Sequence, residues 1–365
     1  MGLKAGIVSG DPEGLAPYER PAVSKGCLNP SMEGLRNFAG GKEGFPFTCK
    51  GSGGTGQSPQ WYKEKGITVL YGCQAIRADL DNRFLAVKRV RPDGKGLLLY
   101  GETLKVSYGQ LLIATGVRPR KIVDGSAVLP AKGLQWSCFC SRHPDLLGNP
   151  PAPSALEKHG FGSVHYVRDM GDATKLVAAM ECVEADGQET CQESVVVVGG
   201  GFIAVEVATA LATHCPALPL AMVVDREEVL ESAGLGSDIC HFYAKQLARA
   251  GVKFAREYRV SRLWPLEEEG EFPTLERTPQ GPNLKRTLPR AFGPADPNFT
   301  ACRGVVLTHV RTGEEAWLPA RFVVVGIGSI PNTELFCSSL ALAPDGGIVA
   351  DAFLRASHPS GKVFA

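Results

Sequence analysis

The chain lacks several things, and each absence narrows what it does. No apolar run reaches the roughly 18–20 residues of a membrane-spanning helix, so no membrane role is expected. Charge of neither sign dominates. A formal net charge of +1 leaves no basic field to attract nucleic acid or an anionic lipid surface. No Cys-x-x-Cys occurs among the 11 cysteines, an odd number scattered without a framework. That usage fits free thiols in a reduced compartment. Cys138 and Cys140 lie near His143, but that stretch is loop-like and has no second ligand pair, so no metal is expected. Nor does a signal-peptide pattern open the chain, since Met1-Gly-Leu-Lys-Ala-Gly-Ile-Val-Ser9 passes at once toward a glycine turn. The expected setting is therefore not secretory. Oligomeric state is open.

What the chain does have is a dinucleotide fingerprint. Residues 195–206 read Val-Val-Val-Val-Gly-Gly-Gly-Phe-Ile-Ala-Val-Glu. Gly199, Gly201 and Ala204 match G-x-G-x-x-G/A. The first glycine makes the tight turn. The second admits a pyrophosphate to the backbone, and the small third residue lets helix and strand pack closely. The free N–H groups of the new helix then face the phosphates. Ile203, Val207, Ala210 and Leu211 follow at the spacing of one helical face. A second apolar run, 221–224, ends in Asp225. Asp225 suits a ribose 2′-hydroxyl, hence NADH, whereas its neighbour Arg226 suits the 2′-phosphate of NADPH. A carboxylate repels that phosphate, so NADH is favoured.

The remaining pattern predicts an α/β protein. Strands are expected at 5–9, 67–71, 84–89, 97–100, 105–107 and 111–114, the middle three as a meander. A helix should end at 61–65. Periodicity then fails from 120 to 163, where Pro144, Pro150, Pro151 and Pro153 cluster. A helix over 169–185 shows Leu176, Val177, Met180 and Val183 on one face. Another over 238–250 shows Ile239, Phe242, Tyr243 and Leu247. Strands follow at 252–255, 305–310 and 322–325. Seven prolines between 265 and 297 predict an irregular, mobile insert. Neither 194–198 nor 322–325 alternates, so both should be central strands buried on both faces.

Four landmarks stand in order: Ala16-Pro-Tyr-Glu-Arg-Pro-Ala-Val-Ser-Lys25, Leu111-Leu-Ile-Ala-Thr-Gly-Val-Arg-Pro-Arg120, the fingerprint, and Val323-Val-Val-Gly-Ile-Gly-Ser-Ile-Pro-Asn-Thr-Glu-Leu-Phe336. This order resembles the flavoprotein reductases in which an NAD domain is inserted into an FAD domain. Cys49-Lys-Gly-Ser-Gly-Gly54, Gln60-Trp-Tyr-Lys-Glu-Lys-Gly-Ile67 and Gly346-Gly-Ile-Val-Ala-Asp-Ala-Phe353 bring the resemblance to the monodehydroascorbate reductase family. It implies two Rossmann-like domains: an FAD-binding one over 1–135 and 337–365, and an NAD(P)-binding one over 164–336. Residues 136–163 would be a linker or insertion and 265–299 a proline-rich insertion. It also implies FAD and NAD(P)H as cofactors and a small-molecule substrate, the monodehydroascorbate radical.

Carried over on matching residues, Arg20 and Lys25 resemble the family's FAD contacts, with Lys25 beside the flavin. Asp11 or Glu13 is the candidate acid for the FAD ribose. Ala114, Thr115 and Gly116 look like the crossover between domains. Glu206 either sits near the nicotinamide or is a surface glutamate favoured by the helix dipole. Gly328 matches the nicotinamide side, whereas Ile330 stands where many members carry Arg. The family's first FAD fingerprint, expected before residue 5, and its Gly-Asp, expected after 365, are not in these 365 residues. A second expectation is therefore a truncated product that binds NAD(H) and holds no FAD. A third is another FAD-dependent NADH reductase, either ferredoxin reductase-like or of the single-cysteine peroxidase kind with Cys27 as the thiol.

Overall fold

The computed structural model of the protein describes residues 4–11, 20–29, 56–92, 97–122, 164–185, 194–216, 219–265 and 302–365. The 136–163 linker, the insert from 266 onward, Glu13, and the Cys138, Cys140 and His143 cluster lie outside the described residues.

The first half contains β1 (Gly6–Val8), α1 (Pro59–Glu64), β2 (Thr68–Leu70), β3 (Cys73–Asp79), β4 (Phe84–Pro92), β5 (Leu97–Ser107), β6 (Leu111–Leu112) and β7 (Val117–Pro119). Strand β1 pairs with β2 in parallel. The meander is β3-β4-β5, all antiparallel. This corrects the reading of 84–107. Strand β3 carries no clean alternation and was missed. The two short strands expected at 97–100 and 105–107 are one. Gly101, with φ of +74°, looks like a turn but is absorbed within the ladder, close to its register shift.

The second half contains β8 (Val164–Tyr166), α2 (Met170–Ala185), β9 (Ser194–Val198), α3 (Phe202–His214), β10 (Leu220–Val224), α4 (Ser237–Arg249), β11 (Lys253–Arg256), β12 (Tyr258–Pro265), β13 (Cys302–His309), β14 (Glu315–Val325), β15 (Ser329–Pro331) and β16 (Val363–Phe364). Strands run parallel in the order β11-β10-β9-β14-β8. Strand β14 serves two sheets. Its last residues pair in parallel with β9 and β8, and its first pair antiparallel with β13, which pairs with β12. Pro265, expected to open an irregular stretch, is the last residue of β12.

Both apolar strands are central, as expected. Val195 and Val197 face the helical layer with Leu176, Met180, Val207 and Leu211. Val196 and Val198 face the β12-β13-β14 meander with Val260, Val305 and Leu307. A strand covered on both faces has no solvent side to mark with polar residues, hence four consecutive valines. Two helix faces were misjudged. In α4 the buried stripe is Cys240, Ala244 and Leu247, while Ile239, Phe242 and Tyr243 are 43–55% exposed. Small residues let this helix lie close to its neighbours, so the larger ones turn outward. In α3, Val207, Ala210 and Leu211 are buried as expected, but Ile203 is exposed and Ala204, Val205 and Ala208 join the buried side.

A 3₁₀ segment, Arg20–Ser24, and another at Gly26–Leu28 belong to the first half by sequence. Their Val23, Cys27 and Leu28 are nonetheless buried in the second half's core, against α2 and α3. The chain leaves the first half through β7 and returns through β15, and these two strands pair antiparallel. Among the described residues β1 pairs with β2, and β16 pairs in parallel with β6 while its Phe364 bridges Arg355 antiparallel.

Candidate functional site

The glycine turn after β9 opens α3 at the carboxyl end of the parallel sheet, between β9 and β14. Open α/β sheets place ligands in this kind of crevice. Gly199 has φ of +117°, and a Cβ there would stand 2.3 Å from the Gly326 carbonyl oxygen. Nothing but glycine fits where the turns after β9 and β14 meet. A Cβ on Gly326 would in turn approach Ala204 Cβ at 3.1 Å. The small residue at 204 therefore serves contact with the β14 turn as well as with its own strand. Gly201 differs. It is the α3 N-cap in ordinary extended geometry (φ −81°, ψ 178°), with no side-chain cap, and a Cβ there meets nothing within 4 Å. Uncapped N–H groups beside open space at a helix N-terminus form an anion cradle.

Asp225 is exposed at the end of β10, where the adenosine ribose of a dinucleotide lies. Arg226 Nη1 faces Glu231 Oε1 at 3.6 Å. Glu206, on the first turns of α3, is no isolated surface glutamate. Its Oε1 lies 2.8 Å from Lys25 Nζ, and its Oε2 accepts a 2.5 Å hydrogen bond from Ser24 Oγ. Lys25 and Glu206, 181 positions apart and singled out separately, thus meet across the junction of the two halves. Ser24 is 5% exposed and was not singled out, although it stands directly before Lys25 in the quoted motif.

Arg20 does not reach this cluster. Its guanidinium holds Asp11 through both carboxylate oxygens, at 3.0 and 3.1 Å. One candidate FAD contact and one candidate ribose acid are thus paired with each other.

The Ala114-Thr115-Gly116 turn is tied to the return strand. Thr115 Oγ1 donates to the Asn332 carbonyl at 2.6 Å, Asn332 Nδ2 donates to the Thr115 carbonyl, and Asn332 N–H donates to the Gly116 carbonyl. Gly116 has φ of +66°, and the Arg168 guanidinium occupies the space a Cβ would need. Gly328, with φ of +106°, accepts from Arg120 N–H at 2.9 Å. It sits beside this crossover, one turn from the fingerprint.

Two titrating groups border the site. Cys27 is fully buried with Sγ 3.6 Å from Met170 Sδ, and burial pushes its thiol up to about 12. Burial of this kind disfavours the thiolate and so counts against Cys27 as a reactive thiol. Asp172 accepts from the N–H groups of Arg168 and Asp169, while Asp169 Oδ1 accepts from Asp172 N–H. This is a capping box at the start of α2. Burial, then the neighbouring Asp169 charge, raises Asp172 to about 6.

The described residues fit a nicotinamide dinucleotide: a bare helix terminus, a glycine turn and an acid at the next strand end. For FAD they supply Lys25 and Glu206 at the junction and the crossover turn. A strand–glycine turn–helix unit for its diphosphate is not among them. Among the described residues there is no group of three or more potential metal ligands. No helix of these residues is long and apolar enough to cross a membrane.

Fold and site together define an FAD/NAD-type α/β oxidoreductase scaffold of Rossmann-like units, with a nucleotide cradle at the carboxyl end of the second half's parallel sheet. The model of the pyridine nucleotide-disulphide oxidoreductase family matches residues 2–278. The chain belongs to that family, and membership implies FAD and NAD(P)H as cofactors. It is 27% identical over 347 residues to a chloroplastic/mitochondrial monodehydroascorbate reductase of Arabidopsis thaliana, covering 95% of this chain and 51% of that protein. It is 29% identical over 347 residues to a cytosolic monodehydroascorbate reductase of Oryza sativa subsp. japonica, covering 95% and 58%. Among solved structures, a covalent putidaredoxin reductase–putidaredoxin complex matches with a TM-score of 0.59 at 20% identity, covering 99% of this chain and 60% of that one. An NAD-dependent persulfide reductase from A. fulgidus matches with a TM-score of 0.59 at 19% identity, covering 99% and 48%. These structures share the fold. The chain spans about half to three fifths of the length of these curated relatives.

Proposed function

We propose that this chain carries the nucleotide-binding and flavin-facing part of an NADH-dependent flavoprotein reductase whose acceptor is the monodehydroascorbate radical. The observation that carries the reading is the meeting of Glu206, from the nicotinamide-side helix, with Lys25 and Ser24, from the flavin-side loop. In this reading 164–336 is the NAD(P)-binding domain, 1–135 and 337–365 contribute to FAD binding, and the substrate is a small molecule. Bound FAD supplies two-electron acceptance and single-electron release, matching one NADH to two radicals.

The chain's own residues do the rest. The α3 N-terminus and Gly201 hold the pyrophosphate. Asp225 takes the adenosine ribose. Glu206 fixes the Lys25 ammonium at the junction, where a positive charge favours the reduced, anionic isoalloxazine. Ser24 holds the second Glu206 oxygen, so the carboxylate cannot rotate off Lys25. The turns at Gly116 and Gly328 fix one half against the other.

The test is NADH titration of the purified protein by fluorescence quenching. NADH consumption is then followed with FAD added and the radical generated enzymatically from ascorbate. Saturable binding and radical-dependent consumption are expected, with Lys25→Gln lowering turnover more than NADH affinity. Tight NADH binding and retained FAD, shown by the flavin absorbance of the desalted protein, without radical-dependent consumption would reject monodehydroascorbate as the acceptor.

A further inference from the structure

The loop after β10 reads Asp225-Arg-Glu-Glu-Val-Leu-Glu231, four carboxylates against one guanidinium. It is pinned at several points. Leu230 N–H donates to the Gly200 carbonyl at 2.7 Å, tying the loop to the fingerprint turn. Gly200 has no room for a side chain, since a Cβ would stand 2.7 Å from Val224 Cγ1. The Arg226 carbonyl accepts from Glu257 N–H at 3.1 Å, and Glu257 holds φ of +60° to do so. Glu228 is locked by Arg256 at 2.9 Å. With the backbone fixed, the Arg226 side chain is what can move, and it is about half exposed. Glu231 is itself held: its Oε2 accepts from Glu228 N–H at 3.4 Å, while its Oε1 faces Arg226.

We propose that Glu231 is a specificity-determining residue: by engaging Arg226 from a fixed position, it keeps the one cation of this loop from serving a 2′-phosphate and so sets preference for NADH over NADPH. Arg226 stands next to the residue that meets the ribose, where a guanidinium would accept a 2′-phosphate if it were free. Glu231 keeps it directed along the loop and adds a charge that repels the phosphate. This inference rests on the dinucleotide site proposed above.

The test measures dissociation constants for NADH and NADPH on the full chain, with no activity required. Glu231→Gln keeps an acceptor for Glu228 N–H but removes the charge facing Arg226. NADPH affinity should rise about tenfold while NADH affinity stays within about twofold. Arg226→Gln added to that variant should abolish the gain. Glu231→Ala, checked by thermal unfolding, gives an independent second variant with the same expectation. An unchanged NADPH-to-NADH ratio in both variants overturns the proposal while leaving the site intact. So does a gain that persists without Arg226, or a wild-type chain that binds NADPH as tightly as NADH. Binding of neither nucleotide overturns both the site and the proposal.

Discussion

Replacing Gly201 with valine separates nucleotide binding from folding. The backbone at 201 is extended with negative φ, and a Cβ there meets nothing within 4 Å. A side chain can therefore start there without backbone strain. Stability should stay within about 1 kcal/mol of wild type, because valine restricts the unfolded chain more than glycine does but is a poorer N-cap. The same side chain fills the space in front of the α3 N-terminus. A pyrophosphate displaced from it loses about two charge-assisted N–H bonds, each about 1.5–3 kcal/mol. That sum corresponds to an affinity loss of roughly a hundredfold to ten-thousandfold. Gly199→Ala is the contrast, since its Cβ would meet the Gly326 carbonyl at 2.3 Å and φ there is +117°. That variant should lose several kcal/mol of stability (about 2–4) through clash and left-handed strain. The assay is chemical denaturation beside NADH fluorescence titration for both variants. A Gly201→Val protein that unfolds at the wild-type midpoint and still binds NADH with wild-type affinity would refute the cradle.

Asp172 should make stability depend on pH in a definite direction. Its folded pKa, about 6, lies above its unfolded value of 3.8. The folded state therefore binds the proton more tightly, and stability contributed here falls as pH rises from about 4 to about 6. Asp172→Asn should be neutral near pH 4 and stabilising by about 1–3 kcal/mol at pH 7.5, and a pH-independent difference in unfolding free energy would contradict this. Cys27 should resist thiol reagents in the native protein at pH 8 and react only on unfolding, whereas rapid native labelling would place it outside the core. Leu176→Ala, at a fully buried position against the sheet, should cost about 2–5 kcal/mol by denaturation. A loss well below 1 kcal/mol would mean that α2 is not packed as described.

Sequence alone determined the parts whose physics is local. Four consecutive valines running into Gly-Gly-Gly declare a strand buried on both faces that ends in a glycine turn, and the structure has both. Element positions were legible wherever hydrophobic period and a stop signal agreed, as at α2, β9, β10 and β11. The resemblance singled out Lys25 and Glu206, 181 positions apart, but nothing local says that they touch. Tertiary structure alone decided four things. It buried Val23, Cys27 and Leu28 of the first half in the second half's core, and so joined Lys25 and Ser24 to Glu206. It tied Arg20 to Asp11 and Arg226 to Glu231. It chose which face of α4 is buried, the one carrying Cys240, Ala244 and Leu247 rather than Ile239, Phe242 and Tyr243. It made Gly199 obligatory through Gly326, a residue 127 positions away. Periodicity reports one element against an averaged surrounding, whereas pairing partners and close approaches are properties of two segments that meet only when the chain is folded.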